Sequence, residues 1–161
     1  MMKRSTLSVL SFATVLCLST AALSADKMPN LKPGFNTATG TVQAKNTGNA
    51  IAGKSVLTIK CAAMHGGSCP DPTPAQMADY TLPGYADMGA INVPKVGPSK
   101  TFSHKIKFFN DLNFAPGKYI FTVCVDAGKT VRESNENDNC KRFSMVKKSA
   151  PKRPHKLKPA Q

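Results

Sequence analysis

The sequence predicts an all-β protein, an antiparallel β-sandwich of about seven short strands. Apolar and polar residues alternate in several segments, turn-forming residues separate those segments, and helical periodicity is almost absent. The clearest segment is Gly117–Val125, in which Tyr119, Phe121 and Val123 share one parity and Thr122 lies on the other. A strand of this kind buries one face in a core.

The chain opens with the pattern of a secretory signal, predicted over residues 1–25. Lys3 and Arg4 precede an apolar stretch, Leu7–Leu18, that is too short to span a bilayer. We therefore expect an exported mature protein that begins at Asp26, has no transmembrane segment and is periplasmic or secreted.

The rest of the chain is predicted to contain a lead-in, one domain and a tail. Residues 26–38 contain Pro and Gly and are predicted to form the lead-in. The sandwich domain is predicted over residues 39–146, and a disordered, basic, Pro-rich tail over residues 147–161. The expected elements are strands at Gly40–Asn46, Val56–Cys61, Ile91–Val93, Thr101–Phe109, Gly117–Val125 and Cys140–Lys147, with a helical turn at Ala75–Tyr80. In the Thr101–Phe109 strand, Phe102, Ile106 and Phe108 should face the core.

The cysteines predict two disulfides. Of the five cysteines, Cys17 lies in the predicted signal, and an even number in a small exported chain favours disulfides over a metal cluster. Cys124 and Cys140 share the outward parity of the last two strands, so they are predicted to pair, and Cys61–Cys69 would close a short loop. Chain entropy predicts about 2.5–3 kcal/mol for each. The alternative is a Cys61–Cys124 bridge between the sheets.

Three segments carry a family resemblance. The pattern Asp126-x-x-x-x-Val131-x-Glu133-Ser134-Asn135-Glu136-x-x-Asn139 resembles the terminal signature of the CARDB domain, the cell-adhesion-related domain found in bacteria. Val42–Gly48 is similar to its opening strand and N-T-G turn, and Val93–Phe102 to its loop into the next core strand. The resemblance covers most of Thr39–Val146 and implies an exported, non-catalytic, immunoglobulin-like sandwich. The chain departs from the family in its long Ala62–Gly89 segment.

Acidic and amide side chains cluster between the last two predicted strands. Such groups bind backbone amides in turns, so we expect them to hold the hairpin in register. Their oxygens also suit Ca²⁺, which is a second interpretation, although the spacing is not that of an EF-hand. The candidate calcium ligands are Asp126, Glu133, Asn135, Glu136 and Asp138.

Soft donor groups lie close together in a second segment. Met64 and His65 stand between Cys61 and Cys69, and thioether and imidazole ligands suit copper. The alternative function is therefore a periplasmic, copper-type metal-handling protein that uses Met64 and His65. A disulfide would remove both thiolates and favours a plain loop instead.

The net charge of +13 is distributed unevenly. Six cations and no acid lie in the last fifteen residues: Lys147, Lys148, Lys152, Arg153, Lys156 and Lys158. This pattern predicts attachment to a polyanion, and the other interpretation is a solubilising terminus. Prolines exclude an amphipathic membrane helix, and the lack of interleaved aromatics argues against recognition of nucleic acid by stacking.

The motifs of common catalytic and nucleotide sites are missing from the sequence, so we expect no enzyme and no cofactor. The expected function is an exported, non-catalytic binding or adhesion module of the bacterial envelope or extracellular space. Its partner would be an anionic envelope polymer or glycolipid, or another protein. A purely structural role through strand addition at a sheet edge is a third hypothesis.

Overall fold

Two sheets form the protein over the residues that the computed structural model describes, 27–64, 67–85 and 89–149. The strands of this part are β1 (Leu31–Asn36), β2 (Thr41–Asn46), β3 (Ser55–Ala63), β4 (Gly89–Val93), β5 (Thr101–Lys105), β6 (Gly117–Cys124) and β7 (Cys140–Lys147). One α-helical turn, α1 (Pro74–Met77), continues into a 3₁₀ turn at Ala78–Tyr80, and another 3₁₀ turn lies at Phe109–Asp111. Of the described residues, 42% lie in strands and 8% in helices, which confirms the all-β prediction.

The strand pairs are antiparallel. β1-β2-β5 form one sheet and β4-β3-β6-β7 the other. β6 and β7 pair along their whole length, from Gly117 opposite Lys147 to Cys124 opposite Cys140. The inner faces of the two sheets share one core, which confirms the predicted immunoglobulin-like sandwich.

Aromatic rings fill the space between the sheets. Phe35 of β1 packs edge-on against Phe121 of β6 with ring centroids 5.0 Å apart, and Phe109 and Phe114 pack around the same Phe121 ring. Tyr119 is also buried, so the predicted inward parity of β6 is correct. Burying a large apolar side chain contributes about 1.5–3 kcal/mol, and these rings therefore hold the two sheets together.

The predicted lead-in 26–38 is wrong in part, because it contains strand β1. Leu31 is fully buried, and Phe35 faces the core. Pro33 and Gly34 interrupt the alternation and conceal the strand in the sequence. β1 tolerates Pro33 because it is an edge strand paired only with β2, where a missing N–H costs little. The sandwich therefore begins at Leu31 rather than at residue 39.

The predicted Thr101–Phe109 strand is too long. β5 ends at Lys105, after which the Ile106 amide donates to the Gly40 carbonyl and the Phe109 amide donates to the Ile106 carbonyl. These bonds turn the chain across the end of the sandwich. Phe109 is buried by this turn, whereas Phe108 is only half-buried against Tyr80.

The long segment between β3 and β4 contains the predicted helical turn. Thr73 and Gln76 form a capping box at the start of α1, with the Gln76 amide donating to the Thr73 hydroxyl and the Thr73 amide to the Gln76 side chain. Tyr80 at the end of the turn is buried, and its hydroxyl accepts a hydrogen bond of 3.1 Å from the Lys107 amide. The segment is thus anchored to the chain that follows β5.

Two disulfides join the pairs that side-chain parity predicted. Cys61 and Cys69 have Cα atoms 6.1 Å apart and close the loop after β3, and Cys124 and Cys140 have Cα atoms 4.1 Å apart across β6 and β7. The alternative Cys61–Cys124 bridge does not form. Cys61 faces the core while Cys124 faces the outer side of the same sheet, so their side chains diverge.

Candidate functional site

Asp126 organises the turn that follows β6. Its backbone has φ of 45°, a left-handed conformation that Asp tolerates better than most residues. One carboxylate oxygen accepts from the Thr130 amide at 3.0 Å and from the Thr130 hydroxyl at 2.8 Å. The other accepts from the Val131 amide at 2.9 Å. The side chain is 1% exposed, so these bonds satisfy a carboxylate that water cannot reach.

Glu133 joins the two ends of the domain. One of its carboxylate oxygens accepts from the buried amide of Leu31 at the start of β1, and the other accepts from the Asn139 side-chain amide at 3.0 Å. The backbone amide of Glu133 in turn donates to the Glu136 carboxylate at 2.8 Å. A single buried side chain therefore connects β1 to the segment that enters β7.

The electrostatic environment of Glu133 disfavours its charge. Desolvation by burial raises the pKa of Glu133 above its ordinary value, and the carboxylates of Glu136 and Asp126 raise it further. The hydrogen bonds from Leu31 and Asn139 act in the opposite direction but do not reverse the shift. The hydrogen bonds from Leu31 and Asn139 thus hold the Glu133 carboxyl group close to two other acids.

The pH dependence of stability follows from this shift. Because its pKa is raised in the fold, protonated Glu133 contributes stability below its ordinary value of 4.5, and this contribution is lost as the pH rises through the raised pKa. We expect the free energy of unfolding of the natural protein, measured against that of Glu133→Gln, to fall over this window and then level off. Urea titrations of both proteins at a series of pH values would measure it. If the free energy of unfolding of the natural protein instead rose with pH relative to that of Glu133→Gln, the pKa of Glu133 would not be raised in the fold.

The calcium candidates do not form one group of five. Carboxylate oxygens of Asp126, Glu133 and Glu136 lie within 4.8 Å of one another. Asn135 accepts from the Asn137 amide at 3.0 Å, and Asp138 forms an ion pair of 3.1 Å with Lys32. The three clustered carboxylates each accept from backbone amides, which is the turn-holding role expected for them. The calcium interpretation stays a prediction for that trio.

The soft-donor loop offers fewer groups than the sequence suggested. Cys61 and Cys69 are joined, so neither supplies a thiolate. Met64 is 38% exposed at the end of β3, and His65 lies outside the described residues. The copper hypothesis stays a prediction that rests on Met64 and His65 alone.

The cations have a spatial order that the sequence did not reveal. Within the described residues, the seven strands contain eight Lys or Arg and no Asp or Glu. Lys60 of β3 pairs with Thr122 of β6, and Thr122 pairs with Arg142 of β7, so both cations flank Thr122 on the outer face of the four-stranded sheet. Lys118 lies on the same face. We call Lys60, Lys118 and Arg142 the basic face.

Two of the six predicted polyanion-binding residues lie within the described part of the chain. Lys147 and Lys148 are exposed at the end of β7, whereas Lys152, Arg153, Lys156 and Lys158 lie outside the described residues. Sequence reasoning missed the basic face because its members come from three strands far apart in the chain. Parity indicates that each points outward, but only the register of β3, β6 and β7 brings them together.

The CARDB family model matches residues 75–143, a range that runs from α1 into β7 and includes the Asp126–Asn139 turn. The predicted CARDB resemblance is thereby confirmed. CARDB is a family of cell-surface, adhesion-related domains. The matched range begins at residue 75, whereas the resemblance in the sequence begins at Thr39. Strands β1, β2 and β3 therefore precede the matched range. No curated protein matches the chain.

Two solved structures are similar to this chain. A domain of a Methanosarcina acetivorans protein assigned to the cell surface is 15% identical, with 80% of this chain and 99% of that chain covered and a TM-score of 0.50. A CARDB domain from Pyrococcus furiosus, crystallised in complex with di-metal ions, is 19% identical over 74% of this chain and 94% of that one, with a TM-score of 0.42. At such identities the likeness concerns the fold. Among the described residues, no helix combines the length and apolar character needed to cross a membrane.

Proposed function

We propose that the protein is an exported, non-catalytic binding module of the cell surface that attaches to polyanionic surfaces. The observation that carries the proposal is the basic face, where Lys60, Lys118 and Arg142 share one side of a sheet whose strands supply no acid. The basic segment 147–158 begins at the last residue of β7 and would add to this positive charge. The CARDB match and the two disulfides support export to the cell surface.

The spacing of the basic face suits an extended polyanion. Lys60 and Arg142 stand on either side of Thr122, two strand spacings apart, which is roughly 10 Å. Cations at this distance contact different anionic groups of a polymer or of a glycolipid layer. Each one contributes about 1 kcal/mol near an anionic surface, and salt screens the contribution.

The non-catalytic part of the proposal rests on how the clustered acids are used. Asp126 and Glu133 are buried and accept hydrogen bonds from the amides of Val131 and Leu31, which belong to the fold itself. An acid that holds a buried backbone amide is poorly placed to exchange protons with a substrate. The most concentrated group of carboxylates in the described residues thus supports the architecture.

Neutralising the basic face is expected to weaken binding to isolated bacterial envelopes. The triple variant Lys60→Gln, Lys118→Gln and Arg142→Gln loses roughly 3 kcal/mol of attraction, up to a hundredfold in apparent affinity at low salt. Co-sedimentation of the full mature chain at low and high salt measures the change. A second variant neutralises Lys152, Arg153, Lys156 and Lys158.

A matched control neutralises Lys45, Lys100 and Lys105, which are exposed on or beside the opposite sheet. If this control loses as much binding as the basic-face variant, net charge alone explains the attachment and the face is not a site. If the natural protein does not sediment with envelopes at low salt, the proposed attachment is wrong.

A further inference from the structure

Each sheet of the described residues ends in two edge strands, which pair with a neighbour on one side only. β1 and β5 are the edges of one sheet, and β4 and β7 are the edges of the other. β7 is the longest of the four, and its eight residues pair with β6 without interruption. An edge of this kind is a template on which an extended peptide can form a further strand.

The hydrogen-bond pattern determines which backbone groups of β7 point away from β6. The Val125 amide donates to the Asn139 carbonyl at 2.8 Å, so the next pair, Cys124 and Cys140, is a pair without backbone bonds. The outward amides and carbonyls of β7 therefore belong to alternate residues: Cys140, Arg142, Ser144 and Val146. All four residues are exposed, and within the described part of the chain their amides have no acceptor.

The other edges are shorter or already occupied. On β1 the amide of Leu31 donates to the Glu133 carboxylate, and Pro33 has no amide hydrogen to offer. β4 and β5 contain five residues each. The Ala78–Tyr80 turn contacts β4, and the Tyr80 ring lies 5.7 Å from the ring of His104 on β5. β7 thus presents the longest row of free backbone groups.

The charge of β7 selects the kind of strand that can pair with it. β7 contains Lys141, Arg142 and Lys147 and no acid, and Lys118 of β6 lies on the same side of the sheet as Arg142. A second copy of β7 would place three cations beside three cations, and like charges disfavour such a pairing. An acidic strand has the opposite charge and is attracted to this edge.

Half-buried apolar side chains along β7 add a second requirement. Phe143 packs edge-on against Phe35 of β1 with ring centroids 6.1 Å apart, yet Phe143 and Met145 both remain half-buried. Side chains of an added strand would alternate between the two faces as those of β7 do. Apolar residues on one parity would cover Phe143 and Met145, while acids on the other parity would lie beside Arg142.

We propose that β7 binds an extended acidic peptide segment of another protein, which joins the four-stranded sheet as a fifth strand. Main-chain hydrogen bonds to Arg142, Ser144 and Val146 hold the segment, and its carboxylates lie on the side of the basic face. The inference goes beyond the proposed polyanion attachment, because it depends on a row of backbone groups and not on charge alone.

A labelled peptide of alternating valine and glutamate, matched to β7 in length, tests the proposal by fluorescence anisotropy with the full mature chain. We expect saturable one-to-one binding that is about tenfold weaker in Ser144→Pro, because proline removes an outward amide hydrogen and its ring obstructs the edge. The bonds between β6 and β7 do not use this amide, so edge position 144 tolerates proline. No saturable binding at low salt would overturn the proposal.

Ser103→Pro is the matched control, the same exchange on the edge of the opposite sheet. The Asn46 amide donates to the Lys100 carbonyl, so the alternation along β5 directs the Ser103 amide away from β2. This variant should bind the peptide as the natural protein does. If both proline variants bind equally, whether strongly or weakly, β7 is not the docking edge.

Hydrogen exchange resolved by residue tests the same edge without any substitution. The peptide should slow exchange of the amides of Arg142, Ser144 and Val146, whereas those of Phe143 and Met145 are already bonded to β6 in the free protein. Attraction between charges alone does not produce this alternation. Exchange rates along β7 that stay unchanged with the peptide bound would overturn strand addition.

The acidic nature of the partner and its independence from the polyanion are tested separately. A peptide with lysine in place of glutamate should bind at least tenfold more weakly, and equal affinity for the two peptides would overturn the acidic partner. Ser144→Pro changes no charge, so we expect it to lose peptide binding while it sediments normally with envelopes. If the natural protein binds the peptide but not envelopes, the polyanion proposal fails and strand addition stands.

Discussion

Replacing Asp126 with alanine is expected to lower the free energy of unfolding by about 3–5 kcal/mol. The variant leaves the buried Val131 amide without an acceptor and removes two further bonds from Thr130. It also places alanine at a φ of 45°, a left-handed conformation that costs about 1–2 kcal/mol outside Gly, Asn and Asp. Urea unfolding of the variant and the natural protein measures the loss.

Two comparisons separate these causes. Asp126→Asn tolerates the left-handed conformation but turns one acceptor into a donor, so we expect an intermediate loss of about 2 kcal/mol. Asp138→Ala removes a partly exposed acid whose Lys32 partner is 3.1 Å away, and surface pairs of this kind contribute about 0–1 kcal/mol. If Asp126→Ala costs no more than Asp138→Ala, the turn does not depend on the buried carboxylate.

Replacing Glu133 with alanine is expected to cost about 2–4 kcal/mol and to loosen β1. The buried amide of Leu31 and the side-chain amide of Asn139 both lose their acceptor. Some of the loss is recovered because Glu136 and Asp126 no longer face a third carboxylate. Hydrogen exchange resolves the local effect, since amides of β1 should exchange faster while those of β6 change less.

The control for this prediction is Glu136→Ala. Glu136 is exposed and accepts a single bond from the Glu133 amide, so its removal should cost about 0.5–1.5 kcal/mol and leave β1 protected. If the amides of β1 and β6 in Glu133→Ala exchange faster by the same factor, the Glu133 hydrogen bonds stabilise the whole domain rather than its first strand.

Much of the sandwich follows from side-chain alternation. In β6 the parity of Tyr119, Phe121 and Val123 gives the buried face, and the same parity places Cys124 outward, where it meets Cys140. Alternation of period two is a local property, because successive residues of a strand point to opposite faces. It can therefore be interpreted without knowing which strands are neighbours.

The same reasoning fails where the local pattern is broken. Pro33 and Gly34 break the alternation within β1, so the sequence does not predict that strand. After β5 the alternation of apolar residues continues in the sequence, although the strand itself ends at Lys105. Asn46 begins the N-T-G turn that the sequence predicts, yet it is fully buried, and its side-chain amide donates to the carbonyls of Ala50 and Val96. Such contacts join residues that the sequence alone does not bring together.

The sequence by itself determined the all-β class, the CARDB resemblance and the polar turn after β6, and it favoured the observed pairing of the cysteines over one alternative. Only the tertiary structure decided that Glu133 accepts a hydrogen bond from the first residue of β1, and that Lys60, Lys118 and Arg142 form one face. The first group depends on the spacing of residues along the chain. The second depends on strand register and on packing between distant segments, which many sequences with the same alternation would arrange differently.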